Sequence, residues 1–131
     1  MSFTPDALDG VAILLWAAGP SMPERLATPF FHAAAAAAME AQVEVYFTAA
    51  SVRLLVPGVA ANLRASPHAD QTILAHIQQC VAHGARLLAC SDALHAQGID
   101  STDLIAECHG RGGSVQFMSR VLDKRWATLT Y

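Results

Sequence analysis

Apolar residues in this chain fall into two patterns, unbroken runs and helical repeats, and the two alternate. Residues 11–17 (VAILLWA) form a continuous apolar run between Asp9-Gly10 and Gly19-Pro20, as expected of a strand buried on both faces. Residues 43–49 (VEVYFTA) and 85–90 (ARLLAC) predict two more strands, and the alternating 126–131 (WATLTY) a last one. Between the first two strands, an alanine-rich stretch through Met39 predicts a helix with Thr28 as its cap and Pro29 at its first position. Its run Ala33 to Ala38 suits close packing on a sheet.

Residues 72–83 place Ile73, Ile77 and Cys80 or Val81 at helical spacing, with His76, Gln78, Gln79 and His83 on the polar side and Gly84 as the stop. A helical segment, 91–97, follows Cys90 at once and ends at Gly98. Shorter helices are expected at 51–56 and around Leu104, Ile105 and Cys108, with a glycine-rich loop at 109–113. Ser114 is the expected cap of a helix that turns Val115, Met118, Val121 and Leu122 inward. Residues 59–70 show no periodicity and predict a loop long enough to cover a site.

Strand, helix, strand in succession forces parallel pairing with a right-handed crossover. The fold class is therefore α/β: one domain over residues 1–131, three layers α/β/α, around a mostly parallel sheet of four or five strands. Ligands in such sheets gather at the carboxyl ends of the strands, which points to Ser51, Cys90 and the loops beside them.

Composition adds a constraint on the surface. Hydrophobic residues make up 53% and charged residues 15%, against roughly a quarter charged in an ordinary soluble domain. Burial of apolar surface between copies of the chain, a homo-oligomer, is the expected explanation of the shortfall, the alternative being that the many alanines raise the apolar count without making a sticky patch. Net charge is −3 and no basic run occurs, which argues against nucleic acid as a partner. The longest apolar run is too short to span a bilayer and follows Asp6 and Asp9 where a signal peptide carries positive charge. Neither a membrane span nor a secretory leader is expected, and the expected location is the cytoplasm.

Of the three cysteines, Cys90 stands where a strand ends and a helix begins, close to backbone N–H groups without helical partners. Asp92, two residues on, opposes a thiolate there. Cys80 and Cys108 read as core fillers. No CxxC pair occurs, and none of the six histidines stands at zinc-ligand spacing from a cysteine. His76 and His83, seven apart, are read as solvated, and no metal is expected. The run His109-Gly110-Arg111-Gly112-Gly113 before a helix has the ingredients to hold an anion, or is an ordinary turn. Neither GxGxxG, nor a GK[ST] phosphate loop, nor a GxSxG elbow is present, and no cofactor is expected.

Several phrases together resemble a known family. Val45-Tyr46-Phe47-Thr48 running into Ser51-Val52, Leu87-Leu88-Ala89-Cys90-Ser91 with Gly98-Ile99 downstream, and Gly112-Gly113 before a helix and closing strand are similar to the DsrE/DsrF-like, TusD-like sulfur-relay proteins. The resemblance runs from Val11 to Tyr131 and implies their three-layer fold. It implies that Cys90 accepts a sulfane sulfur as a persulfide and passes it on, with sulfur donor and acceptor proteins as partners. Ser51, Ser91, His95 and Arg111 are the binding candidates around it. The family commonly forms trimers or hexamers, and some members lack the cysteine and serve as non-catalytic subunits. This chain departs from the family in Ser51, where glycine is common, and in Gln97, where a basic residue is common.

Overall fold

The computed structural model describes residues 8–131. Five strands, β1 (Gly10–Leu15), β2 (Gln42–Phe47), β3 (Arg86–Ala89), β4 (Cys108–Arg111) and β5 (Trp126–Thr130), form one sheet in the order β4-β3-β2-β1-β5. Every pairing is parallel. The expected α/β class is borne out, with a fifth strand and, among the described residues, no antiparallel member.

The two faces of the sheet are covered unequally. On one face Ile13, Leu15, Val45, Phe47 and Leu87 are fully buried under α1 (Ala27–Ala38), α2 (Ile73–Ala82) and α3 (Ser91–Ala96). Ala33 and Ala37 of α1 are buried there, and Phe30 stacks on Phe47 with centroids 6.2 Å apart, so small side chains let the helix approach while one ring anchors it. On the other face α4 (Ser114–Val121) covers a smaller core of Ala12, Tyr46, Leu88 and Trp126.

Several sequence expectations change. Helix α1 starts at Ala27 after an uncapped Leu26, so Thr28 is inside it rather than its cap. Pro29 then sits at the third position, still within the first turn, where a missing N–H breaks no helical bond. Helix α2 starts at Ile73, with Thr72 outside it as the cap, its side chain accepting from the Ala75 N–H at 3.1 Å, and the expected stop at Gly84 takes a left-handed φ of 111°. No helix forms around Leu104, Ile105 and Cys108, and the expected loop at 109–113 is largely strand β4. This strand has little intrinsic preference for extended structure. Pairing to β3 creates it, through a bulge where the Leu87 N–H donates to His109 Nδ1 at 3.0 Å.

Helix α4 is rotated from its expected setting. Gly113, not Ser114, is its cap residue, and Val115 and Leu122 are 88% and 78% exposed, with Met118 and Val121 also outward. The stripe that faces the sheet is Phe117 and Arg120 instead. Phe117 packs edge-on against Tyr46 at 5.3 Å. The Arg120 guanidinium donates to both carboxylate oxygens of buried Glu44, at 2.8 and 3.0 Å, and lies 3.9 Å over the Trp126 ring. A carboxylate buried in β2 requires a cation, and that requirement outweighs the burial of four aliphatic side chains.

Candidate functional site

The carboxyl ends of β1, β2 and β3 meet at one edge of the sheet. Phe47 is the register partner of Ala89, and the Cys90 N–H extends the ladder one step by donating to the Phe47 carbonyl at 2.9 Å. Cys90 is then the cap residue of α3, its carbonyl accepting from the Leu94 N–H at 3.0 Å. The sulfur is thereby held at the junction of a rigid strand and a short helix.

The chain returns to this edge at the end of β4. The Gly112 N–H donates to the Ala89 carbonyl at 3.0 Å. A Cβ at Gly112 would come within 2.9 Å of the Leu88 Cβ and 3.0 Å of Tyr46 Cε1, so only glycine lets the backbone cross this close to the sheet. That crossing sets the start of α4 beside Cys90. No side chain caps α4, and the amides of its first turn are left without helical acceptors. Cys90 therefore lies between the N-terminal ends of two helices, an arrangement that favours an anion.

An apolar cleft of about 280 Å³ opens here, walled by Leu14, Tyr46, Thr48, Cys90, Phe117 and Met118, with residues 112–114 along its edge. A shallower depression continues outward over Ser91, Asp92, Arg111, Gln116 and Ser119. Cys90 borders both. The Tyr46 hydroxyl donates to Glu44 Oε1 at 2.7 Å. Burial first, and then the Glu44 carboxylate, push that phenol up to about 12, so it remains protonated. For Glu44, burial alone would raise the pKa, but the hydrogen bonds from Arg120 and Tyr46, with the charges of Arg120 and Arg86, leave it below the ordinary value.

The binding candidates scatter. Ser91 and Arg111 border the outer depression with Cys90, and the Arg111 guanidinium donates to the Ser101 carbonyl at 2.6 Å. Ser51 is fully buried and borders neither hollow. Its hydroxyl lies 2.7 Å from the carbonyls of Leu15 and Thr48 and accepts the Thr48 N–H at 3.0 Å, fastening the turn after β2. His95 is exposed on α3 and lines neither hollow. Cys80 is buried, its thiol pushed up to about 12 by that burial, and Cys108 packs partly buried against the larger core. Among the described residues no three His, Cys, Asp or Glu side chains gather to hold a metal, and no helix is long and apolar enough to cross a membrane.

The sequence marks none of Thr48, Phe117 and Met118 as a site residue. Thr48 was within reach, since it follows β2 as Cys90 follows β3. Helical spacing puts Met118 in the core, and its place in the cleft wall depends on the rotation of α4.

The family model described as DsrE/DsrF-like matches residues 11–130. Among solved structures, the ychN protein from E. coli superposes with a TM-score of 0.71 at 17% identity, over 93% of this chain and 99% of that one. A protein of unknown function from Methanobacterium thermoautotrophicum, MTH1491, superposes at 0.64 and 20% identity, over 92% and 97%. A comparison with curated proteins gave no match.

Proposed function

Because the chain belongs to the DsrE/DsrF-like family, we propose that it is a sulfur-relay protein of the cytoplasm that carries sulfane sulfur as a persulfide on Cys90. One observation carries this reading. Of the three cysteines, Cys90 alone lines the cleft, partly exposed and flanked by two helix N-terminal ends.

In the loading step the Cys90 thiolate attacks the outer sulfur of a donor persulfide. The donor's S–S bond breaks, a new S–S bond forms on Cys90, and the donor leaves as its thiolate, with the outer sulfur's proton retained. An acceptor thiolate then attacks the outer sulfur on Cys90 and restores the thiolate there. Neither step needs an external oxidant, since one S–S bond replaces another. First-turn amides of α3 near Ser91, and of α4, stabilise the charged sulfur, while Arg111 at the outer rim serves partner docking. Ser51 supports the turn beneath the cleft, and His95 is left as a contact for a partner at the α3 surface. The outward apolar side chains of α4 are assigned to a contact between copies in a trimer or hexamer.

A second reading is a non-catalytic, partner-binding subunit, favoured by the exposed apolar face of α4. Intact-mass analysis of native protein after incubation with a persulfide donor separates the two. A carrier gains about 32 Da per sulfur atom, reversibly with reductant, and Cys90→Ser does not. Equal loading of wild type and Cys90→Ser would overturn the carrier, and no loading in either would favour the second reading.

A further inference from the structure

Two hollows of opposite character border Cys90. The inner one, the cleft of about 280 Å³, is walled by Leu14, the Tyr46 and Phe117 rings and Met118. Among the described residues that line it there is no Asp, Glu, Lys, Arg or His, and the Tyr46 phenol stays protonated. The outer depression carries the charges, Asp92 and Arg111.

The inner walls are set by the fold itself. Phe117 stands edge-on to Tyr46 with centroids 5.3 Å apart, and the close crossing at Gly112 fixes the start of α4. The backbone at Cys90 is still extended, with φ −73° and ψ 119°, so strand alternation puts its side chain on the same face as Leu88, the face that α4 covers. Met118 is 45% exposed, which leaves the cleft open to solvent on that side. A nucleophile thus stands in the wall of a preformed, uncharged hollow close to the lower size limit of small-molecule sites, which are concave and mostly apolar.

We propose that the persulfide which loads Cys90 is a small organic molecule whose carbon group is apolar and the size of an aromatic ring, held in the inner cleft, while the charged outer depression receives the acceptor protein. This rests on the carrier reading above and names its donor. Only the outer depression is broad enough to meet a protein surface, so the enclosed cleft is left to the smaller reactant. Its rings and thioether favour an aromatic group, and a charged peptide thiol would lose hydration there with no partner to replace it. In the step itself the donor's S–S bond breaks, its electron pair goes to the carbon-bound sulfur, and that sulfur leaves as a thiolate. The outer sulfur keeps its proton and forms the new S–S bond to Cys90, with no net oxidation.

Benzyl persulfide and glutathione persulfide, at equal concentration, are the donors that test this, with intact mass of the full chain reading the gain of about 32 Da. Relative to their rates with N-acetylcysteine, benzyl persulfide is expected to load Cys90 roughly ten-fold faster, the advantage of taking an apolar ring out of water. Benzyl alcohol, which cannot react, should slow it competitively. Met118→Glu, at a half-exposed position, sets a carboxylate in the wall and should erase most of the advantage. Alkylation transfers no sulfur and so separates this inference from the carrier reading: N-benzyl iodoacetamide should label Cys90 roughly ten-fold faster than iodoacetamide on the same scale. Equal loading by the two donors, or no competition by benzyl alcohol, overturns the inference and leaves the carrier reading standing. No loading by either donor with the alkylation preference kept overturns the carrier reading while the cleft's preference for a ring stands, and no loading with no preference overturns both.

Discussion

Thr48 and Cys90 stand side by side at the sheet edge, each one step beyond the end of its strand. The β2–β3 register ends with Phe47 opposite Ala89, and the Cys90 N–H continues it to the Phe47 carbonyl at 2.9 Å. Both line the same apolar cleft, so a hydroxyl and a sulfur are presented together on a backbone that the sheet holds rigid.

The three thiols should react in a fixed order. Cys90 is partly exposed in a cleft, Cys108 is partly buried with its Sγ 3.6 Å from the Gly110 carbonyl, and Cys80 is sealed in the core with its thiol pushed up to about 12 by burial. Iodoacetamide on native protein, followed by peptide mass analysis, is expected to label Cys90 first and Cys80 only after unfolding. Labelling of Cys80 before Cys90 would contradict the burial described above.

Glu44→Gln should lower stability by about 1–3 kcal/mol at neutral pH. Removing one member of a buried pair costs about 3–5 kcal/mol, and the discount reflects the Arg120 side chain, which is 28% exposed and regains water. The Glu44 carboxyl is held below its ordinary 4.5 in the folded protein, so its stabilising contribution is complete above that value and disappears as pH falls through the folded pKa. Urea midpoints of wild type and variant should therefore converge as pH falls below the ordinary carboxyl value of 4.5 and through the lower folded pKa. A gap that stays constant over that range would show that the carboxylate charge is not what stabilises α4.

Gly112→Ala tests the close crossing. The added methyl group meets the Leu88 Cβ at 2.9 Å and the Tyr46 ring at 3.0 Å, an overpacking that costs about 1–3 kcal/mol. Because this residue sets the start of α4, thermal melting should drop and the rate of Cys90 alkylation should change with it. A variant that melts and alkylates like wild type would show that the sheet accommodates the methyl group freely.

Val115→Glu combined with Leu122→Lys tests the outward face of α4. Both side chains are mostly exposed in the single chain, so in a monomer the changes should stay within about 0.5 kcal/mol in stability. If that face joins copies, charges there dissociate them, and light scattering should show the mass fall to that of one chain. An unchanged oligomer would place the contact elsewhere.

Much of the sheet was legible because buried parallel strands must be almost wholly apolar. Residues 11–17 and 85–90 declare themselves this way, and with them the position of Cys90 at a strand end. Strand β4 was not legible: Cys108-His109-Gly110-Arg111 has no strand pattern of its own and is extended because β3 offers it an unpaired edge. Nor was the setting of α4. Its aliphatic stripe is the stronger local signal, and it lost to Arg120, whose partner Glu44 is 76 residues away in the chain.

His76 and Ser51 show the same division. Periodicity placed His76 on the polar side of its helix, yet the loop carrying Ala65 and Ala69 folds over it, a contact that no local pattern encodes. Ser51 follows a strand and so looks like a site residue in the sequence, yet in the structure its hydroxyl is taken up by the carbonyls of Leu15 and Thr48. By itself the sequence determined the α/β class, the parallel strands and the cysteine at the end of β3, because those follow from which residues must avoid water. Tertiary structure decided which side chains surround that cysteine, because walls drawn from β1, β2 and α4 meet only after burial of Glu44 has chosen the face that α4 turns inward.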